Sequence, residues 1–78
     1  MEVLDEYTEL HLASVGPHRL LVLKIVRELT GLGLSAAKSL MDSAPVVIKH
    51  GMSTYDARKA KRDLEQAGAE ASVKWTGS

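Results

Sequence analysis

The chain has no cysteine, so no disulfide framework and no thiolate metal site can hold it together. It has no phenylalanine and one tryptophan, so any core must come from Leu, Val, Ile, Met and Ala. Long apolar runs are missing too. The longest, 20–23 and 44–48, are far too short to span a bilayer. The first residues carry Glu2, Asp5, Glu6 and Glu9 and no apolar stretch, which is not the pattern of a secretory signal. These absences lead to the expectation of a soluble, cytoplasmic protein. Net charge is also lacking: ten Lys and Arg balance ten Asp and Glu. A neutral total argues against general nucleic-acid affinity, which usually needs a strongly basic domain, so direct nucleic-acid binding is not expected.

What is present fits one small α+β domain. Seventy-eight residues bury only about 60–65% of their unfolded surface, leaving no room for two lobes and a deep cleft. Residues 1–6 read as a flexible N-terminus, 7–75 as a single domain and 76–78 as a tail. From Tyr7 to Ala13 polarity alternates, with Thr8, Leu10 and Leu12 on one side and Glu9 and His11 on the other. That is the period of a half-buried strand. Gly16-Pro17 punctuates the chain before a helix expected over 18–30.

At about 100° per residue this helix has two apolar stripes. Val22, Ile25, Val26 and Leu29 form one; Leu20, Leu23, Lys24 and Arg27 form the other. Both cannot face the core. Burying an unpaired cation is prohibitive, so the first stripe should turn inward. Either the cations of the second snorkel outward from a buried helix, or two leucines stand in water beside two cations because a partner covers them. Residues 18–38 hold Arg19, Lys24, Arg27 and Lys38 against Glu28 alone. A partner surface would therefore be apolar with acidic neighbours.

Gly31 suits a left-handed helix cap and Gly33 a tight reversal, with Leu32 or Leu34 anchoring the turn in the core. Ser35 reads as the N-cap of a second helix over 36–43, whose apolar side is Ala37, Leu40, Met41 and Ala44, and Pro45 ends it. Residues 46–50 are β-branched and short, and Gly51 breaks them. Ser53-Thr54-Tyr55-Asp56 resembles a capping box. It opens a third helix that buries Ala57, Ala60, Leu64 and Ala67 and stops at Gly68. Residues 69–75 alternate as a strand with Ala71, Val73 and Trp75 inward. The order is β-α-α-β-α-β: a three-stranded antiparallel sheet with three helices on one face.

Ingredients of catalysis are few. His11, His18 and His50 fall on separate elements without metal-ligand spacing. Gly31-Leu32-Gly33 lacks the remaining parts of a phosphate loop. No cofactor and no enzymatic activity is expected. Arg58, Lys59, Lys61 and Arg62 are mixed with Asp56, Asp63 and Glu65, the composition of a solvated helix face.

The run Thr30-Gly-Leu-Gly-Leu-Ser-Ala-Ala-Lys38-Ser-Leu-Met-Asp-Ser-Ala-Pro45 carries a specific pattern. Together with Lys24-x-x-Arg27 and Asp63-Leu-Glu-Gln-Ala-Gly-Ala-Glu70, it resembles the C-terminal domain of the bacterial ribosomal stalk protein, the L-seven/L-twelve protein of the large subunit. The resemblance covers about residues 7–75 and implies the same element order. It also implies a non-catalytic module that recruits translational GTPases (elongation, initiation and release factors) by contacting a helix of their nucleotide-binding domain. The implied contact residues are Arg19, Leu20, Leu23, Lys24, Arg27 and Lys38, with Gly31, Leu32 and Gly33 beside them.

Several positions depart from that family. Residues 1–78 do not include that family's N-terminal dimerisation domain and hinge, so the expectation is a regulator or competitor that meets the ribosome indirectly. Glu28 stands where the family usually has Gly, Ser35 and Ala36 where it tends to be charged, and Leu20 and Leu23 where Val and Ile are usual. The Clp-protease adaptor for N-degron substrates shares the general fold and is the alternative. It needs an acidic pocket for a free amino terminus, and residues 18–38 are basic.

Overall fold

The computed structural model describes residues 8–76. The expectations for residues 1–7, and for the last two residues of the tail, lie outside them. The elements are β1 (Thr8–Ser14), α1 (Arg19–Thr30), α2 (Leu34–Asp42), β2 (Val46–Met52), α3 (Thr54–Gln66) and β3 (Glu70–Trp75). The class is α+β in the order read from the sequence. The sheet is antiparallel with strand order β2-β1-β3, so the N-terminal strand is central and pairs on both sides.

Alternation along β1 sets the two faces of the sheet. Thr8, Leu10 and Leu12 are buried beneath the helices. Glu9 and His11 share the other face, where His11 Nε2 lies 2.9 Å from Glu9 Oε1. Buried Thr8 keeps a partner for its hydroxyl, 3.3 Å from that of Thr54 at the start of α3. Leu10, Leu12, Val22, Val26, Met41 and Leu64 are the largest fully buried apolar side chains of one core cluster. The core is aliphatic throughout.

β2 runs further than its β-branched residues. Gly51 does not break it. The pairing shifts register between Thr8 and Leu10 and again between Leu10 and His11, so β2 carries extra residues opposite β1. Gly51 lies in the first irregularity at φ 71°, and Met52 returns to the core beyond it. A bulge absorbs the glycine where simple alternation would end the strand.

α3 follows its sequence signals closely. Ser53 Oγ accepts from Asp56 N at 3.0 Å, the forward half of the capping box. Ala57, Ala60, Leu64 and Ala67 are all buried. At the far end Ala69 N donates to Leu64 O at 3.0 Å and Gly68 N to Glu65 O at 3.0 Å. Those two bonds are a Schellman termination with Gly68 at C′. On the exposed side Lys61 Nζ donates to Glu65 Oε2 at 2.8 Å.

This termination has a close neighbour. A Cβ at Gly16 would lie 2.1 Å from Gly68 O. The loop that launches α1 therefore touches the loop that ends α3, and only a residue without a side chain fits between them.

Trp75 is 51% exposed, against the expectation that it fills the core. Its register partner is Thr8, beside the first turn of α3, so it lies at the margin of the helical layer. Ala71 and Val73, further along this edge strand, are half-buried and pack on the core.

Two stability outcomes follow from burial. Leu64→Ala should cost roughly 2–5 kcal/mol in urea unfolding, whereas Leu20→Ala should stay within about 0.5 kcal/mol of wild type. Gly16→Ala should lose about 1–2 kcal/mol from its left-handed φ of 81° alone, with the clash on Gly68 added. A thermal melt equal to wild type would contradict that contact.

Candidate protein-interaction site

α1 has the face that charge placement requires. Val22 and Val26 are fully buried, and Ile25 and Leu29 pack against the same core. On the opposite stripe Lys24 and Arg27 are exposed and Leu23 is half-buried. Leu20 is 80% exposed. The helix is thus not wholly buried, and its cations do not snorkel out from under a covering layer.

The helix starts at Arg19 with His18 at the N-cap, where no side chain caps it. It ends at Gly31, whose φ of 73° places it in the left-handed region and whose N–H donates to Arg27 O at 2.9 Å. Thr30 Oγ1 donates to Val26 O at 2.7 Å and accepts from Leu32 N at 3.2 Å. These bonds turn the chain outward. Leu32 and Leu34 are 37% and 56% exposed, so neither anchors the turn in the core.

Gly33 is extended, with φ −72° and ψ 175°, and makes no tight reversal. It occupies the N-cap of α2 in place of Ser35, which lies inside the helix. The turn is two residues shorter than the hydroxyl signal suggests, because α2 starts at Leu34 and not at Ala36. Its Ala37 and Met41 are buried as expected, while Leu40 and Ala44 pack at the core margin.

Two long-range contacts hold α1 in place. Arg19 Nη2 donates to Asp42 Oδ1, joining the start of α1 to the end of α2, so the helices run antiparallel. Both side chains are about half exposed, and a surface pair of this kind contributes at most about 1 kcal/mol. Lys49 Nζ, from β2, donates to Leu29 O at 3.0 Å. It places a cation at the C-terminal end of α1, where the helix dipole favours one.

A shallow hollow of about 510 Å³ opens on the exposed stripe. Leu20, Leu23 and Leu32 supply its apolar surface, Lys24 and Arg27 its cations, and Gly31 its end wall. Glu28 also lines it. Six of the nine residues expected at a contact surface therefore meet in one place. Arg19, Gly33 and Lys38 do not line it. Arg19 is engaged with Asp42. Lys38 is exposed on α2, one turn before Asp42 on the same side of that helix.

In the sequence Glu28 stands out only as an unusual residue, outside the expected contact set. Its spacing of four from Lys24 was the available signal. Leu21, 55% exposed on the flank of α1, was not placed at all. Among the described residues no ion pair involves Lys24, Arg27 or Glu28. The hollow thus offers two cations and one carboxylate, none of them in an ion pair among the described residues, beside its leucines. That equipment suits holding a helix or turn of another protein. Among the described residues no cluster of His, Asp or Glu has metal-ligand geometry, and no helix is long and apolar enough to cross a membrane.

Comparison with known proteins agrees with this architecture. The family model of the ribosomal protein L7/L12 C-terminal domain matches residues 8–74, from the first residue of β1 almost to the end of β3. The chain is 49% identical over 73 residues to the large ribosomal subunit protein bL12 of Buchnera aphidicola, covering 91% of this chain and 60% of that protein. For bL12 of Sodalis glossinidius the identity is 48% over 75 residues, covering 94% and 62%. For bL12 of Herminiimonas arsenicoxydans it is 51% over 72 residues, covering 90% and 58%. The chain spans about three-fifths of the length of these curated relatives. On the match across all six of its structural elements, the chain belongs to the ribosomal protein L7/L12 C-terminal domain family.

Proposed function

We propose that this domain binds translational GTPases through the hollow on α1. The elongation, initiation and release-factor GTPases are the partner class, and the contact is a helix of the factor's nucleotide-binding domain. The domain holds the factor and performs no chemistry itself. Its site of action is the cytoplasm, in association with the ribosome.

The observation that carries this reading is the exposed stripe Leu20, Leu23, Lys24 and Arg27, with Leu32 closing its end. Leu20 alone offers most of its side chain for burial, which contributes about 1.5–3 kcal/mol when complete. Lys24 and Arg27 attract an acidic helix, and charge complementarity of this kind speeds encounter and fixes register. Lys38 on the adjoining helix extends the positive field at the edge. Arg19 acts mainly through Asp42, holding α2 against α1. Gly31 sets where α1 stops, and Gly33 lets α2 begin directly after it.

An adaptor for free amino termini would need carboxylates converging on a pocket. The hollow instead sets two cations against Glu28, which favours an acidic partner.

Titration of a purified elongation-factor GTPase with the fluorescently labelled domain tests the site. Lys24→Glu/Arg27→Glu should weaken binding by at least about 30-fold, in line with loss of two interfacial charge contacts. Leu20→Ala should weaken it about ten-fold, about 1.4 kcal/mol, with no matching loss of fold stability. Equal affinities for wild type and the double variant would remove the site assignment. Added as the 78-residue chain, the domain should also compete with the ribosome's own stalk and lower factor-dependent GTP hydrolysis on ribosomes. Unchanged turnover at saturating domain would rule out the competitor role.

A further inference from the structure

Glu28 lies at the junction of three surface hollows. In the first it shares the wall with Lys24 and Arg27. In the second, between α1 and α3, it faces Asp63 across the groove, with Lys24 and Gln66 also present. In the third it lies with Asp56 and Asp63, beside Lys49 and Lys59. The surface of α1 therefore changes sign around the helix, from the side of the first hollow toward α3. Lys24 and Arg27 make a positive section, and Glu28 with Asp63 begins a negative one.

Glu28 shares the first hollow with Lys24 and Arg27 without forming an ion pair with either. Lys24 precedes it by four residues, the weaker of the two orientations for a helical ion pair. No ion pair joins Glu28 to a cation among the described residues. Lys49, which also lines the third hollow, donates instead to Leu29 O. A partner that covers the first hollow must strip water from this carboxylate. An acidic or apolar surface offers nothing in return, and an unpaired buried charge is strongly unfavourable. A Lys or Arg on the partner restores the lost hydration as a charge-assisted hydrogen bond.

We propose that Glu28 is a specificity-determining residue of this site. It selects partner helices whose acids face Lys24 and Arg27 and which carry a Lys or Arg about one helical turn away, opposite Glu28. An all-acidic partner surface is rejected there by like-charge contact, the repulsive half of specificity. The inference rests on the proposed binding site and adds the chemistry of its partner.

The test uses two synthetic helical peptides with a leucine face and three glutamates. One carries Lys, the other Gln, one turn beyond the acids. Each is titrated calorimetrically into the 78-residue chain. Wild type should bind the Lys peptide about ten-fold more tightly than the Gln peptide. Glu28→Gln should bring the two to within about two-fold, and Glu28→Lys should reverse the order. Glu28 is exposed, so these variants should melt like wild type. A wild-type preference no greater than that of Glu28→Gln overturns the role of Glu28. If Lys24→Glu/Arg27→Glu still binds both peptides as wild type does, the site itself is wrong. If neither peptide binds wild type, both readings fall.

Discussion

The fold depends on which stripe of α1 can leave water. The helix has two aliphatic stripes, and one of them contains Lys24 and Arg27. Placing those cations in a core without counter-charges costs far more than burying two leucines returns. So Val22 and Val26 enter the core fully, and Ile25 and Leu29 pack at its edge. The same choice leaves Leu20 in solvent. One electrostatic constraint thus builds the core and the exposed hollow together. The hollow is the unburied remainder of a helix whose other side is packed into the core.

The surrounding elements hold that helix in place by contacts between distant parts of the chain. Arg19 reaches Asp42 and sets α2 antiparallel to α1. Lys49 reaches the last turn of α1 from β2. Gly16 lies against Gly68, so the start of α1 is registered to the end of α3. Each contact is modest, and two are at the surface. Together with the Val22 and Val26 burial they keep the hollow on a helix and a capped turn, the kind of rigid platform on which side chains keep their spacing.

Membership of the L7/L12 C-terminal domain family accounts for the architecture and the match from β1 to β3. The chemistry of the surface is set by a few side chains on α1. Glu28 introduces a carboxylate into a wall otherwise made of leucines and cations. The hollow therefore carries charges of both signs beside its leucines. Leu32 and Leu34 add exposed apolar area at the turn, which enlarges what a partner can cover.

Much of this was legible in the residues themselves. Alternation in β1, the buried alanines and Leu64 of α3, the Ser53 cap and the Gly68 stop are local signals, and local geometry obeys them. The inward face of α1 was legible because charge on one stripe decides it without any knowledge of neighbours. Other features needed the folded chain. Trp75 alternates correctly yet stands half in water, because the helical layer ends where α3 begins. Gly51 looks like a stop and is a bulge, because pairing with β1 continues past it. Ser35 looks like a cap and lies inside α2, because Gly33 already supplies the extended residue before the helix. Leu32 and Leu34 look like anchors and point outward, because the caps of Thr30 and Gly31 aim the turn away from the core. Sequence determines periodicity, charge placement and capping, since these act within a few residues. Where layers end, which strand pairs beyond a glycine and which charges share one hollow depend on packing between distant segments, and only the tertiary structure decides them.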